Sequence, residues 1–208
     1  MKDKDKTKEQ LTKDLCRLQE QVVNLERLEA EHKLTEQQRE VSLRVLELLN
    51  RTIDLNEVKR QILWLIKESS GCEAVGIRLQ EGEDFPYYDT VGFVEGHVPT
   101  ENYLCSLDKN GEVVRDAEGK AVLECMCGNI IRGRFDASKP FFTERGSFWT
   151  NSTTDLLATT TEEELLTKLR NRCHDEGYES VAIMPLKFDG DIIGLLQIND
   201  GQRDRFTP

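Results

Sequence analysis

Two short pairs of residues carry the reactive chemistry of this chain. Cys125 and Cys127 stand one residue apart, and Cys173 is followed at once by His174. Both pairs lie in polar, loop-like stretches. Three thiols and an imidazole form a sulfur-and-nitrogen donor set of the kind a tetrahedral zinc ion takes. The spacing argues against zinc, because neither Cys-x-Cys nor Cys-His has the separation of a zinc knuckle. The same thiols suit a reversible redox switch, in which a thiolate is oxidised or joined to a neighbour. The plain alternative is a set of packed or solvent-facing thiols, and the residues alone leave these readings open.

The other reactive side chains fall into no recognisable constellation. Ser147, Ser152 and His174 occur without a Gly-x-Ser-x-Gly elbow, and there is no glycine-rich phosphate loop. Glu162, Glu163 and Glu164 read as the acidic first turn of a helix rather than as a catalytic pair. His97 follows Glu95-Gly96 in a loop and reads as exposed, and His32 reads as a solvated position on a polar helix. Cys72 reads as a small buried apolar residue, and Cys105 as a pocket neighbour. Phe141, Phe142, Phe148 and Trp149 read as core, and would wall the pocket of any flat ligand.

The elements that must position these residues can be read along the chain. Residues 1 to about 50 contain no Gly and no Pro. Leu11, Leu15, Leu18, Val22 and Leu25 alternate spacings of four and three, an apolar seam of coiled-coil period. Glu29 and His32 break the seam, which resumes in a new phase at Leu34, Val41, Val45 and Leu48. Thr35 and Gln38 fit a capping box that would restart the helix, and a continuous helix with a phase slip fits equally. The division expected is a helical connector over 1–35 and a sensory domain over 36–208. Asp54 reads as an N-cap for a helix carrying Val58, Ile62, Leu63, Leu65 and Ile66 and ending near Gly71. Strands are expected over 73–80 and 87–93, then two tight turns at Asp108 and Asp116, a short helix over 125–132 and a strand over 147–152. Thr159 to Thr161 read as a helix start. The segments 179–186 and 191–199, joined by Phe188-Asp-Gly-Asp, read as a β-hairpin, with Pro185 placing part of its strand at an edge. Mixed elements closing on an antiparallel hairpin predict an α+β fold.

Composition narrows the function classes. The net charge of -11 argues against nucleic-acid binding, which needs a basic surface to neutralise phosphates. No run of about 18 apolar residues is present, so no membrane span is expected. The polar start, MKDKDKTKEQ, lacks the apolar core of a signal peptide, so a cytoplasmic location with reduced thiols is expected.

The blocks Gly177 to Leu186 and Phe188 to Ile198 resemble GAF domains, by an apolar strand, Pro-Leu, a short turn and Ile-Gly-Leu-Leu. The resemblance covers about residues 40 to 208. It is closer to a subgroup found in multidomain sensor histidine kinases, through Cys125 to Gly128, Ser147 to Thr154 and Asn171 to Cys173. It implies a six-stranded antiparallel sheet with terminal helices on one face and ligand-closing loops on the other. It also implies a helix after the last strand, so that the chain reads as truncated at its C-terminus. Some relatives of this kind bind haem, and the resemblance then implies a thioether at Cys127 and an axial ligand at His174. Cys125, Phe148 and Trp149 would complete that site, with His97 as an alternative ligand. The Cys-x-x-Cys-His haem signal is absent, so the link would be atypical. The function implied is a sensory module, binding haem or another small ligand and relaying redox or gas signals through a dimeric helix. PAS and kinase domains of a longer chain are the implied partners. The alternatives are a haem-free dimerisation or spacer module and a thiol or zinc redox sensor. Some GAF relatives are methionine sulfoxide reductases that use cysteines in this region, but this chain is expected not to be an enzyme.

Overall fold

A computed structural model describes residues 7–51, 55–165 and 170–207. The chain forms two compact units, 1–51 and 52–208.

The first unit is one helix, α1 (Lys8–Arg51). It is opened by a capping box, in which the Gln10 N–H donates to Thr7 Oγ1 at 3.3 Å and the Thr7 N–H to Gln10 Oε1 at 3.0 Å. The second box expected at Thr35 does not form. Thr35 Oγ1 donates instead to the Glu31 carbonyl at 2.9 Å, and the helix runs on. The apolar seam therefore changes phase within a continuous helix. The expected boundary at 35/36 falls inside this helix. Leu11, Leu15, Leu18, Val22 and Leu25 are exposed along it.

The second unit begins with α2 (Leu55–Ser70); the N-cap expected at Asp54 lies outside the described residues. The helix ends at Gly71, whose φ of +64° is the left-handed C-terminal conformation that glycine adopts without strain. Five strands follow: β1 (Ala74–Leu79), β2 (Tyr87–Val91), β3 (Phe148–Thr150), β4 (Ser180–Phe188) and β5 (Asp191–Asp200). They form one antiparallel sheet in the order β2-β1-β5-β4-β3. The resemblance implied six strands, and five are present among the described residues. Between Leu104 and Leu123 the backbone makes isolated bridges instead of a ladder. The cause is local: Asp108 accepts the N–H groups of Asn110 and Glu112, and Asp116 those of Glu118 and Lys120. Each aspartate closes its own turn and leaves no room for a longer pairing. Pro185 pairs with Leu195, while β3 covers β4 only from Val181 to Ile183. The proline thus sits where β4 has become an edge, and its missing N–H costs no ladder bond.

Strand alternation gives the sheet two different faces. Val75 and Ile198 point towards α2 and pack with Leu63 and Cys72. Ala74, Val181, Ile183 and Leu195 point the other way, into the larger core beneath the connecting loops. That loop face is covered by α3 (His97–Glu101), α4 (Cys125–Ile131), α5 (Thr153–Thr159), α6 (Glu162–Leu165) and α7 (Arg172–Asp175). Helix α5 had no clear sequence signal. It is capped by Ser152, which accepts from the Asp155 N–H at 3.0 Å, and Thr161 forms a second box with Glu164 ahead of α6.

Candidate functional site

The site is built on the loop face, where α4, α5 and α7 meet β3 and β4. In α4 the Cys-x-Cys-Gly run has a steric logic. A Cβ on Gly128 would lie 2.7 Å from the Leu123 backbone, so only glycine lets the helix pack this closely. That approach seats Cys127 against the sheet, where it is 5% exposed. Asn171, at φ +57°, turns the chain into α7 and carries Cys173 and His174 to the same place. A third clamp fixes α5. The Glu179 carboxylate accepts the Ser152 and Thr154 hydroxyls at 2.9 and 2.6 Å and the Thr154 N–H at 3.3 Å. The Thr154 hydroxyl is the largest influence on that carboxyl. Burial opposes it, but Ser152, the Thr154 N–H and Arg203 reinforce it, and the pKa falls to about 2.

These elements line a small, partly open apolar cavity of about 60 Å³. Cys125, Cys127, Phe148, Cys173 and His174 all line it, together with Val181 and Ile183 from β4. Four of the five residues expected in the haem site therefore come together, and Cys173, expected with the thiol and zinc sets, joins them. Trp149 does not. It stands in register with Ala182, which pairs with Ile198, and so it faces the α2 side of the sheet. His174 is half-buried, with Nδ1 3.1 Å from Thr153 Oγ1. Among the described residues no group of three His, Cys, Asp or Glu side chains is arranged to hold a metal ion.

Pockets for ligands of drug size enclose roughly 300–1,000 Å³, and the cavity beside Cys127 and His174 holds about 60 Å³. The Cys127 thiol is directed into the protein, where it donates to Gln197 Oε1 at 3.6 Å. The residues present do not fit a flat macrocycle in this arrangement. The thiols are also unsuited to thiolate chemistry here. Burial pushes Cys127 up to about 12, against the opposing charge of Arg78, and raises Cys125 and Cys173 as well.

Behind the cavity lies a buried polar chain whose members stand far apart in the sequence. Gln197 is 1% exposed and is its hub. Tyr87 Oη donates to Gln197 Oε1 at 2.9 Å and lies 3.1 Å from His97 Nε2. His97 Nδ1 is hydrogen-bonded to Glu176 Oε2. Gln197 Nε2 donates to Asn199 Oδ1 at 3.0 Å and to Cys173 Sγ at 3.5 Å. His97, read as exposed, is in fact 1% exposed and stacked on Phe93 with ring centroids 4.6 Å apart. Arg78 lies over the Tyr87 ring at 3.6 Å and donates to the carbonyls of Phe85, Glu101 and Asn102. It thereby fixes the end of α3. Arg170 ties the neighbouring loops, bonding Glu124 at 2.8 Å and the Tyr103 carbonyl at 2.7 Å. The available signal was parity: Arg78 shares a strand face with Ala74 and Gly76, and Gln197 and Asn199 share one with Leu195.

No family model matches the chain, and no curated protein sequence matches it. Solved structures do. The GAF domain of an Acinetobacter phosphoenolpyruvate-protein phosphotransferase is 12% identical over 82% of this chain and 80% of its own, with a TM-score of 0.51. A protein from Burkholderia vietnamiensis described as a GAF sensor is 13% identical over 83% of each chain, also at 0.51. A free methionine-R-sulfoxide reductase from Neisseria meningitidis, in complex with its substrate, is 13% identical over 81% of this chain and 76% of its own, at 0.48. The expectation that the chain is not an enzyme is corrected by this finding, since enzymes are among the structures similar to it. At this identity the likenesses establish architecture alone: the chain has the fold of GAF domains.

Proposed function

We propose that the chain is a sensory or regulatory module whose cavity between α4, α5, α7 and the sheet takes a small uncharged ligand. One observation carries the reading. Residues from five separate elements converge on an apolar cavity on the loop face, with three thiols, the His174 imidazole and the side chains of Thr153, Asn171 and Arg172 as the polar groups of its lining. The one fixed charge in the lining, Arg172, already faces the Glu176 carboxylate at 3.7 Å, so an ionic ligand would lose its hydration there without a free countercharge and a neutral molecule is favoured. Haem is not the ligand proposed, because the cavity of about 60 Å³ falls far short of it. The test is thermal melting with a panel of small neutral molecules. A binder raises the Tm of the native chain and loses that effect in Leu156→Trp, which fills the cavity from α5. A Tm rise of equal size in both proteins refutes the assignment.

We further propose that α1 pairs with a second copy in a longer signalling chain containing PAS and kinase domains. The support is its exposed seam at Leu11, Leu15, Leu18, Val22 and Leu25. Sedimentation of the full chain should show a dimer that Leu15→Glu with Leu18→Glu converts to monomer. A wild-type monomer at high concentration refutes the pairing.

A further inference from the structure

Most of the polar groups in the cavity lining are already committed to protein partners. Cys127 donates to Gln197 Oε1 at 3.6 Å, and Cys173 Sγ accepts from Gln197 Nε2 and Asn199 Nδ2 at 3.5 and 3.6 Å. Arg172 faces the Glu176 carboxylate, and Asn171 is exposed to solvent. Thr153, 7% exposed, gives its hydroxyl hydrogen to the Tyr178 carbonyl at 2.7 Å. His174 remains. Its Nδ1 lies 3.1 Å from Thr153 Oγ1, and its Nε2 has no hydrogen-bond partner among the described residues.

A hydrogen count fixes which nitrogen His174 offers. The Tyr178 carbonyl belongs to the backbone and carries no hydrogen in any arrangement, so the single Thr153 hydroxyl hydrogen goes to it. Thr153 Oγ1 then presents only lone pairs to the ring, and Nδ1 must carry hydrogen. This holds for the neutral and for the charged imidazole. Only Nε2 is left open, and in the neutral ring it is a bare acceptor. The backbones of both residues are pinned. The Thr153 N–H donates to the Glu179 carbonyl at 2.8 Å, and the His174 carbonyl accepts from the Gly177 N–H at 2.9 Å. The hydrogen bond at one ring nitrogen of a histidine decides what the other nitrogen can offer a ligand.

We infer that His174 is the specificity-determining residue of the cavity, that Thr153 positions it, and that the ligand is a small uncharged molecule with one hydrogen-bond donor, accepted by Nε2. The inference rests on reading the cavity as a ligand site and narrows that ligand by size and by polarity. At roughly 10–15 Å³ for each water-sized group, a cavity of about 60 Å³ takes a molecule of roughly four to six non-hydrogen atoms. The rest of the ligand meets Phe148, Leu156, Val181 and Ile183 and must be apolar. A ligand without a donor strips solvent from Nε2 and leaves its lone pair unmatched, so it binds more weakly than its donor-bearing isostere.

Pyrrole and furan are flat rings of this size that differ in the feature in question: pyrrole carries an N–H, and furan an ether oxygen. Titration of the full chain at about pH 8, above the usual histidine range, followed by the methyl signals of Val181 and Ile183, gives a Kd for each. Pyrrole should bind roughly two- to tenfold tighter than furan, and the difference should vanish in His174→Phe. Proton–nitrogen correlation across the imidazole, assigned by loss of the signal in His174→Gln, should show the Nδ1–H form in the native chain and in Thr153→Ser. Thr153→Val should shift it towards the Nε2–H form, which a purely packing role of Thr153 would not do. An unchanged tautomer in the folded Thr153→Val variant overturns the positioning role. Equal affinity for the two rings overturns the inference and leaves the cavity a ligand site, as does binding to an Nε2–H form of the native chain. Binding of neither ring overturns both. The last two outcomes are read on the native chain, so they hold whether or not a variant folds.

Discussion

Arg78→Met tests the packing logic of the loop face. Arg78 is 1% exposed, and its guanidinium donates to the carbonyls of Phe85, Asn102 and Glu101, the first two at 3.0 and 2.9 Å. Methionine has a similar length and no donors, so all three carbonyls lose this partner. A buried group left unsatisfied costs about 1–3 kcal/mol, which bounds the loss at roughly 3–9 kcal/mol. Two effects reduce it. Removing a buried cation with no ion-pair partner among the described residues recovers part of its desolvation cost, and carbonyls near the surface can turn to water. We expect a net loss of about 2–4 kcal/mol, a large share of the 5–15 kcal/mol typical of a domain. For a domain of this size that lowers Tm by roughly 5–15 °C. Urea unfolding followed by circular dichroism measures the loss. Hydrogen exchange should show it concentrated in residues 97–105, where α3 loses its anchor. Arg78→Lys should recover less than half, because an ammonium cannot reproduce the planar fork. A change below about 0.5 kcal/mol for Arg78→Met would refute the claim that this side chain organises the loops.

Three further outcomes follow from the geometry. Gly128→Ala puts a Cβ 2.7 Å from the Leu123 backbone and should destabilise by about 1–3 kcal/mol in urea unfolding, with the near-UV signal altered. Glu179 is held down to about 2, so its contribution is complete above its unfolded value of 4.5 and is lost as pH falls through about 2. Allowing for solvent around the carboxylate, the native chain should lose about 1–2 kcal/mol over that window, and Glu179→Gln should lack this amount at neutral pH and show no matching acid loss. Cys127, pushed up to about 12 by burial, should react with a disulfide reagent near neutral pH far more slowly than the exposed Cys16. Equal rates in the folded chain would contradict its burial.

How far the residues foretold the structure depended on the range of the interaction involved. The β4–β5 hairpin was legible because two alternating runs flank Asp189-Gly190, a signal contained within a few residues. The convergence of Cys125, Cys127, Cys173 and His174 on one cavity was legible through resemblance, not through spacing. Trp149 was misplaced because aromatic character says nothing about register, and one step along β3 changes the face. His97 was read as exposed because its burial depends on Phe93, Tyr87 and Glu176, the last of them 79 positions away. The sixth strand, absent among the described residues, traces to Asp108 and Asp116: their turns are legible in the sequence, but their competition with strand pairing depends on side-chain hydrogen bonds that spacing does not reveal. Volume was beyond the sequence altogether, and it is volume that sets haem aside.

The most direct test of the cavity is methyl NMR of the full chain under xenon pressure, since xenon enters dry apolar cavities without needing a polar partner. Shift changes are predicted for the methyl groups of Met126, Leu156, Leu157, Val181 and Ile183, which line the cavity. The methyl groups of Leu63 and Ile66, packed on the opposite face of the sheet, should stay unmoved. Shifts confined to Leu63 and Ile66, or spread evenly over both faces, would contradict the account.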